Sequence, residues 1–129
     1  MKLNAVGVAS SDLTKTISFY ILLGFKFSEV SDDGKHIETT ITSSSARLMI
    51  DSKDIVKDII GEDPKPGNHS MFAIEYETAN EVDTVVQKLK DAGFTVVKKP
   101  WNAFWGQRYA VVEDPDGYKV DLYAQLGKM

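Results

Sequence analysis

The chain has no cysteine and only two histidines, His36 and His69. Without thiols it forms no disulfide, carries no cysteine nucleophile and holds no iron–sulfur cluster or cysteine zinc site. Two imidazoles are too few for a His-rich zinc centre within one chain. Long apolar runs are missing as well. The longest are a few residues, against the roughly 18 that a spanning helix needs, and the opening MKLNAVGVASSDL is too short and too polar in its apolar part for a signal peptide. There is no surplus of positive charge: 15 Lys and Arg stand against 19 Asp and Glu, so 15 − 19 = −4. General nucleic-acid affinity rests on clustered cations, which argues against such a partner. No P-loop, dinucleotide fingerprint or Ser-His-Asp order is present. These absences together lead us to expect a cytoplasmic protein with no nucleic-acid or membrane partner.

What is there suits a folded domain. The 129 residues are 43% hydrophobic and 26% charged, enough for one ordinary domain or two small halves that share a core. Leu3 to Ala9 reads as a strand. Ser11 or Asp12 offers an N-cap, and Leu13, Ile17, Tyr20 and Ile21 follow at helical spacing up to Gly24, which suits a left-handed C-terminal stop. Strands are expected over Phe25–Val30, His36–Thr42 and Arg47–Asp51, with turns at Asp32-Asp33-Gly34 and Ser43-Ser44-Ser45. A short helix fits Asp51–Ile60. The segment GEDPKPGN, residues 61–68, holds two Pro and two Gly and reads as a linker. Ser70–Glu77 is a strand. Thr78–Ala92 is the clearest helix, with Thr78 and Glu81 spaced for a capping box and Val82, Val85, Val86 and Leu89 as its apolar stripe. Thr95–Lys99, ended by Pro100, then Arg108–Glu113 and Tyr118–Ala124 complete the strands. The last two are joined by Asp114-Pro115-Asp116-Gly117, a strong turn tetrad.

The order of elements repeats. Leu23-Gly24-Phe25 closes the first helix and Ala92-Gly93-Phe94 the second, offset by 93 − 24 = 69 residues. Each half reads strand, helix, three strands. This gives a first module over 1–60, a linker over 61–69 and a second module over 70–129.

Several residues stand out chemically. Both tryptophans lie in Trp101-Asn102-Ala103-Phe104-Trp105-Gly106-Gln107-Arg108-Tyr109, more aromatic surface than a loop requires. Trp101, Phe104 and Trp105 suit a clamp on a planar ligand, or the packing of a seam or a dimer interface. Arg108 suits a ligand carboxylate or phosphate. Strand alternation groups Asp121 with Lys119 and Tyr123, and sets Val120 and Leu122 under the helix. Asp121 either contacts a ligand or pairs with Lys119 or Arg108. By the same alternation Met71 and Ala73 share one face, opposite Phe72 and Ile74. His36 and Glu38 share a strand face, as an acid–base pair or as part of a solvated surface.

The ordered set Asp12-Leu13, Ser18-Phe19-Tyr20, Leu23-Gly24-Phe25, Ala92-Gly93-Phe94 and Glu113-Asp114-Pro115-Asp116-Gly117-Tyr118 with Asp121-Leu122 resembles the vicinal oxygen chelate superfamily, which includes glyoxalase I, bleomycin resistance proteins and extradiol dioxygenases. The resemblance covers nearly the whole chain. It implies an α+β fold of two βαβββ modules whose curled mixed sheets surround a cup, and a homodimer. Metal-dependent relatives hold a divalent ion with His and Glu on the first and last strands of each module. Here those positions fall on Ala5 or Asn4, near Met49 or Asp51, on Met71, and on Asp121. Ala5 cannot bind an ion and a thioether suits Mg, Mn or Zn poorly. The expectation is therefore a metal-independent protein without a cofactor, binding a small planar or amphiphilic molecule through Trp101, Phe104, Trp105, Arg108, Asp121, Tyr123, Met49, Met71 and His36. The alternative is a divalent-metal-dependent lyase, isomerase or dioxygenase. Its ion would be held by His69, Asp51 and Asp121, because His69 lies two residues before Met71 and alternation would give both one face.

Overall fold

The computed structural model describes residues 1–40 and 45–127. The chain is mixed α+β and forms two compact units, Met1–Lys65 and Pro66–Met129.

The first unit runs β1 (Ala5–Ser10), α1 (Leu13–Leu23), β2 (His36–Glu38), β3 (Arg47–Ser52) and α2 (Lys53–Ile60). Its sheet has the order β1-β3-β2, with β1 parallel and β2 antiparallel to β3. The Asp12 carboxylate accepts from the Lys15 N–H at 3.2 Å and starts α1. Gly24 ends it at φ 114°, a conformation that a Cβ would strain. The helix buries Thr16, Phe19, Tyr20 and Leu23. The expected face was one residue out: Ile21 is exposed, because the i, i+3, i+4, i+7 stripe starts at Thr16, whose hydroxyl meets that of Ser10 at 2.6 Å. Val8, Ile37, Leu48 and Ile50 of the sheet complete this core.

Phe25–Val30 is not a strand. It follows β2 through single backbone bonds, such as Ser28 N–H to Glu38 O at 3.0 Å, and through one bridge, Phe27 to Thr39. The Phe25 ring is drawn to Tyr20 of α1 at 6.0 Å, which ties the segment to the helix instead of to a continuous ladder. Of the strand expected over His36–Thr42, residues 36–38 form β2 and Thr39 the bridge; Ile41 and Thr42 lie outside the described residues, as do Ser43 and Ser44 of the expected turn. The helix expected from Asp51 starts at Lys53, since Asp51 and Ser52 belong to β3.

The second unit runs β4 (Ser70–Glu75), α3 (Ala79–Asp91), β5 (Thr95–Ala103), β6 (Gln107–Glu113) and β7 (Lys119–Gln125). The sheet order is β4-β7-β6-β5, with β4 parallel to β7 and the other pairs antiparallel. Thr78 caps α3 by accepting from the Glu81 N–H at 3.2 Å. Val82, Val86 and Leu89 are buried, as are Ala110, Val112, Val120, Leu122 and Ala124 of the sheet. The alternation read for β7 is therefore the one found.

β5 does not stop at Pro100. It continues to Ala103, so Trp101–Ala103 is strand and only the Ala103–Gln107 connection is a turn. Pro100 is tolerated because β5 is an edge strand and register shifts between Val96, Lys98 and Trp101 absorb its missing donor. Among the described residues no helix is long and apolar enough to cross a membrane.

Candidate functional site

The sheet of the second unit has one face under α3. On the other, β7 presents Lys119, Asp121 and Tyr123, all half-buried. The register sets Tyr109 opposite Tyr123 and opposite Trp101, so three strands each contribute one ring. Tyr109 and Tyr123 stack at 5.9 Å and 18°. Trp101 stands edge-on to Tyr109 at 5.6 Å, and Trp105 from the following turn closes on Tyr109 at 5.3 Å and on Trp101 at 5.9 Å. Lys98 places its ammonium 4.8 Å from the Trp101 ring centroid. The Trp105 indole N–H donates to Gln107 Oε1 at 2.9 Å, which fixes that ring. Phe104 packs on Trp105 at 5.0 Å but is 96% exposed at the tip of the turn.

The polar centre of this face is Asp121. One carboxylate oxygen accepts from the Tyr109 hydroxyl at 2.5 Å and the other from the Ser70 hydroxyl at 2.5 Å. Ser70 reaches it because the β4–β7 register shifts between Ser70 and Phe72, with Met71 as the extra residue. Burial, then the hydrogen bond to Asp121 and its charge, push the Tyr109 phenol up to about 12. The site therefore offers a neutral phenol locked on a carboxylate beside a wall of aromatic rings.

Arg108 is not part of this face. Its Nε donates to Asp83 of α3 at 2.9 Å and Nη1 to Asn102 at 3.1 Å, on the helix side of the sheet. The physical reason is register. A tight four-residue turn would pair Glu113 with Tyr118 and put Arg108 beside Tyr123. Instead the Asp114 N–H donates to Tyr118 O at 2.8 Å, so the loop between paired positions holds three residues and Gly117 takes φ 95°. The one-residue difference exchanges the faces of β6, putting Tyr109 in and Arg108 out. Tyr109 was the residue missed, and Gly at the fourth turn position was the signal for it.

In the first unit, β2 and β3 gather a charged network on the sheet face opposite Leu48 and Ile50. His36 Nδ1 meets Asp51 Oδ1 at 2.6 Å and Nε2 meets Glu38 Oε2 at 2.9 Å. Arg47 Nη1 donates to the other Glu38 oxygen at 2.7 Å and Nη2 to Asn4 Oδ1 at 2.6 Å. Met49 lies between, paired with Gly7 and Glu38. Burial pulls the His36 pKa down, but the hydrogen bonds and charges of Asp51 and Glu38 outweigh it and hold it above the ordinary value. A raised folded-state pKa means stability that is full below the unfolded value of 6.5 and lost as pH rises through the folded one. The stability difference between the parent protein and His36→Gln should therefore shrink as pH rises from 6.5 through the raised folded-state pKa, as read by urea unfolding at each pH. A difference that stays constant across that range removes the imidazolium from the network.

His69 lies just before β4, outside the strand. It is exposed, and its Nδ1 sits 2.7 Å from the Ser70 carbonyl oxygen. Asp51 is held by His36, and Asp121 by two hydroxyls. Among the described residues no three His, Asp or Glu side chains form a group that could hold a metal ion.

The family model described as Glyoxalase/Bleomycin resistance protein/Dioxygenase superfamily matches residues 2–122. The chain belongs to that superfamily. Solved structures share its fold. A hypothetical protein from S. aureus is 22% identical with a TM-score of 0.80, over 96% of this chain and 94% of its own. A glyoxalase/bleomycin resistance protein/dioxygenase family enzyme from Burkholderia phytofirmans PsJN is 18% identical with a TM-score of 0.82, over 98% and 100%. A lactoylglutathione lyase from Agrobacterium tumefaciens is 15% identical with a TM-score of 0.70, over 95% and 92%. No curated protein matches the chain. The glyoxalase resemblance implies metal-ligand positions at Ala5 or Asn4, near Met49 or Asp51, at Met71 and at Asp121. Asp121 carries a hard donor whose two oxygens already accept hydroxyl protons, while the Asp51 carboxylate is held by His36 and the Asn4 amide oxygen by Arg47. Neither Ala5 nor Met71 offers a donor suited to a hard divalent ion.

Proposed function

We propose that this member of the glyoxalase superfamily binds a small planar or amphiphilic molecule without a metal, on the open face of the second sheet. The observation that carries the reading is the set of four rings in which Trp101, Trp105 and Tyr123 each lie within 6 Å of Tyr109, whose hydroxyl is bonded to Asp121. Aromatic planes supply large contact area at little entropic cost, and the carboxylate and Lys98 supply orientation. Binding for sequestration needs affinity and no transition-state stabilisation, so this arrangement suffices for it. The reading extends, on family habit, to a homodimer, and on the absence of cysteine to a cytoplasmic protein. Sedimentation of a single 14.3 kDa species would remove the dimer from it.

Calorimetric titration with phenazine, a planar aromatic probe, tests the wall. The parent protein should give saturable binding, and Trp101→Ala or Trp105→Ala should weaken it roughly tenfold or more. No saturable binding to the parent, or equal affinity in both variants, sinks the proposal.

A further inference from the structure

The second unit carries a groove that the aromatic face does not use. It lies between α3 and β5, on the helix side of the sheet, and encloses about 720 Å³. That volume falls in the range of small-molecule sites, roughly 300–1,000 Å³. It forms where β5 departs from regular pairing: the register shifts at Val96/Lys98 and Lys98/Trp101 bend the edge strand beside the helix.

Its chemistry is specific. Val86 of α3 and Val96 and Pro100 of β5 give an apolar floor. Lys90 and Lys99 stand on the helix and strand sides, and neither makes an ion pair among the described residues. The one carboxylate in the lining, Asp83, is taken by Arg108 at 2.9 Å. Three cations against one anion give 3 − 1 = +2 in a chain whose net charge is −4. A groove with an apolar floor and two unpaired ammonium groups attracts an anion with an apolar body and rejects its neutral analogue.

We propose that the α3–β5 groove is a second small-molecule site, which takes an aryl carboxylate with its ring on Val86, Val96 and Pro100 and its carboxylate between Lys90 and Lys99. It is independent of the aromatic face, and the two sites can be told apart by residue.

The test is an amide-resolved NMR titration with naphthalene-2-carboxylate, run beside naphthalene-2-carboxamide. The carboxylate should give saturable shifts at Val86, Lys90, Val96 and Lys99. The double variant Lys90→Gln, Lys99→Gln should weaken binding about tenfold, and the carboxamide should bind the parent about as weakly. Both lysines are exposed, so the variant folds, and its amide spectrum verifies this. Trp105→Ala should leave the groove affinity unchanged. Shifts confined to the Trp101–Trp105 region, equal affinity in the lysine variant, or equal binding of the carboxamide each overturn the site.

Discussion

Phe19→Ala destabilises the first unit by about 3–5 kcal/mol. Phe19 is fully buried in α1 and its ring meets Tyr20 edge-on at 4.9 Å. Truncation removes the transfer free energy of the benzyl group, the edge-to-face contact of about 0.5–1.5 kcal/mol, and leaves a cavity that the surrounding structure fills only in part. Against a total stability of roughly 5–15 kcal/mol for a domain this is a large fraction. Urea unfolding followed by far-ultraviolet circular dichroism checks it. Both tryptophans lie in the second unit, so tryptophan fluorescence reports that unit separately. Loss of less than about 1 kcal/mol would show that α1 does not anchor its core through this ring.

Asp121→Asn lowers the Tyr109 pKa from about 12 toward the ordinary 10. Burial raises it first, and the hydrogen bond and the charge of Asp121 add to that. Substitution removes the charge. It also replaces one of two acceptor oxygens with an amide donor, so either Tyr109 or Ser70 loses its partner. The phenol then ionises more readily, though burial still keeps it above an exposed tyrosine. Phenolate absorbance near 295 nm, followed with pH and compared with Tyr109→Phe, isolates this group. An unchanged titration would mean that Asp121 does not hold the phenol in solution.

The substitution also separates two roles for the carboxylate. If Asp121 only fixes Tyr109, ligand affinity falls in Tyr109→Phe and Asp121→Asn alike. If the carboxylate itself meets the ligand, Asp121→Asn costs more. The phenazine titration reads the difference.

Much of the architecture was legible because local chemistry agreed with tertiary need. Asp12 and Thr78 cap their helices where the side chains predicted, and Gly24 and Gly93 stop the two helices with positive φ. The alternation Lys119, Asp121, Tyr123 against Val120, Leu122, Ala124 appears as half-buried against buried. Phe25–Val30 misled because its Phe and Val content suits a strand, while the ring of Phe25 is engaged by Tyr20 and the backbone pairs only in places. Pro100 misled because a proline usually ends a strand, and its tolerance at an edge depends on sheet order.

The candidate site was legible in part. Trp101, Trp105, Asp121 and Tyr123 do meet on one face, and the clustering of both tryptophans in the sequence was the signal. Tyr109 and not Arg108 lies on this face because faces follow register, and register turns on one hydrogen-bonded pair, Asp114 with Tyr118. The His36 network needed β2 and β3 to be antiparallel neighbours before Asp51 could reach the imidazole across the pair.

The sequence by itself determined the superfamily, the α+β class and the caps that start α1 and α3. These follow from residue types at fixed spacings, which act locally. Only the tertiary structure decided which side chains meet: Tyr109 on Asp121, Arg108 on Asp83, and His36 between Asp51 and Glu38. Those contacts join residues 12 to 25 positions apart, or two across a pleat. They are set by strand pairing, where a shift of one residue reverses every side chain.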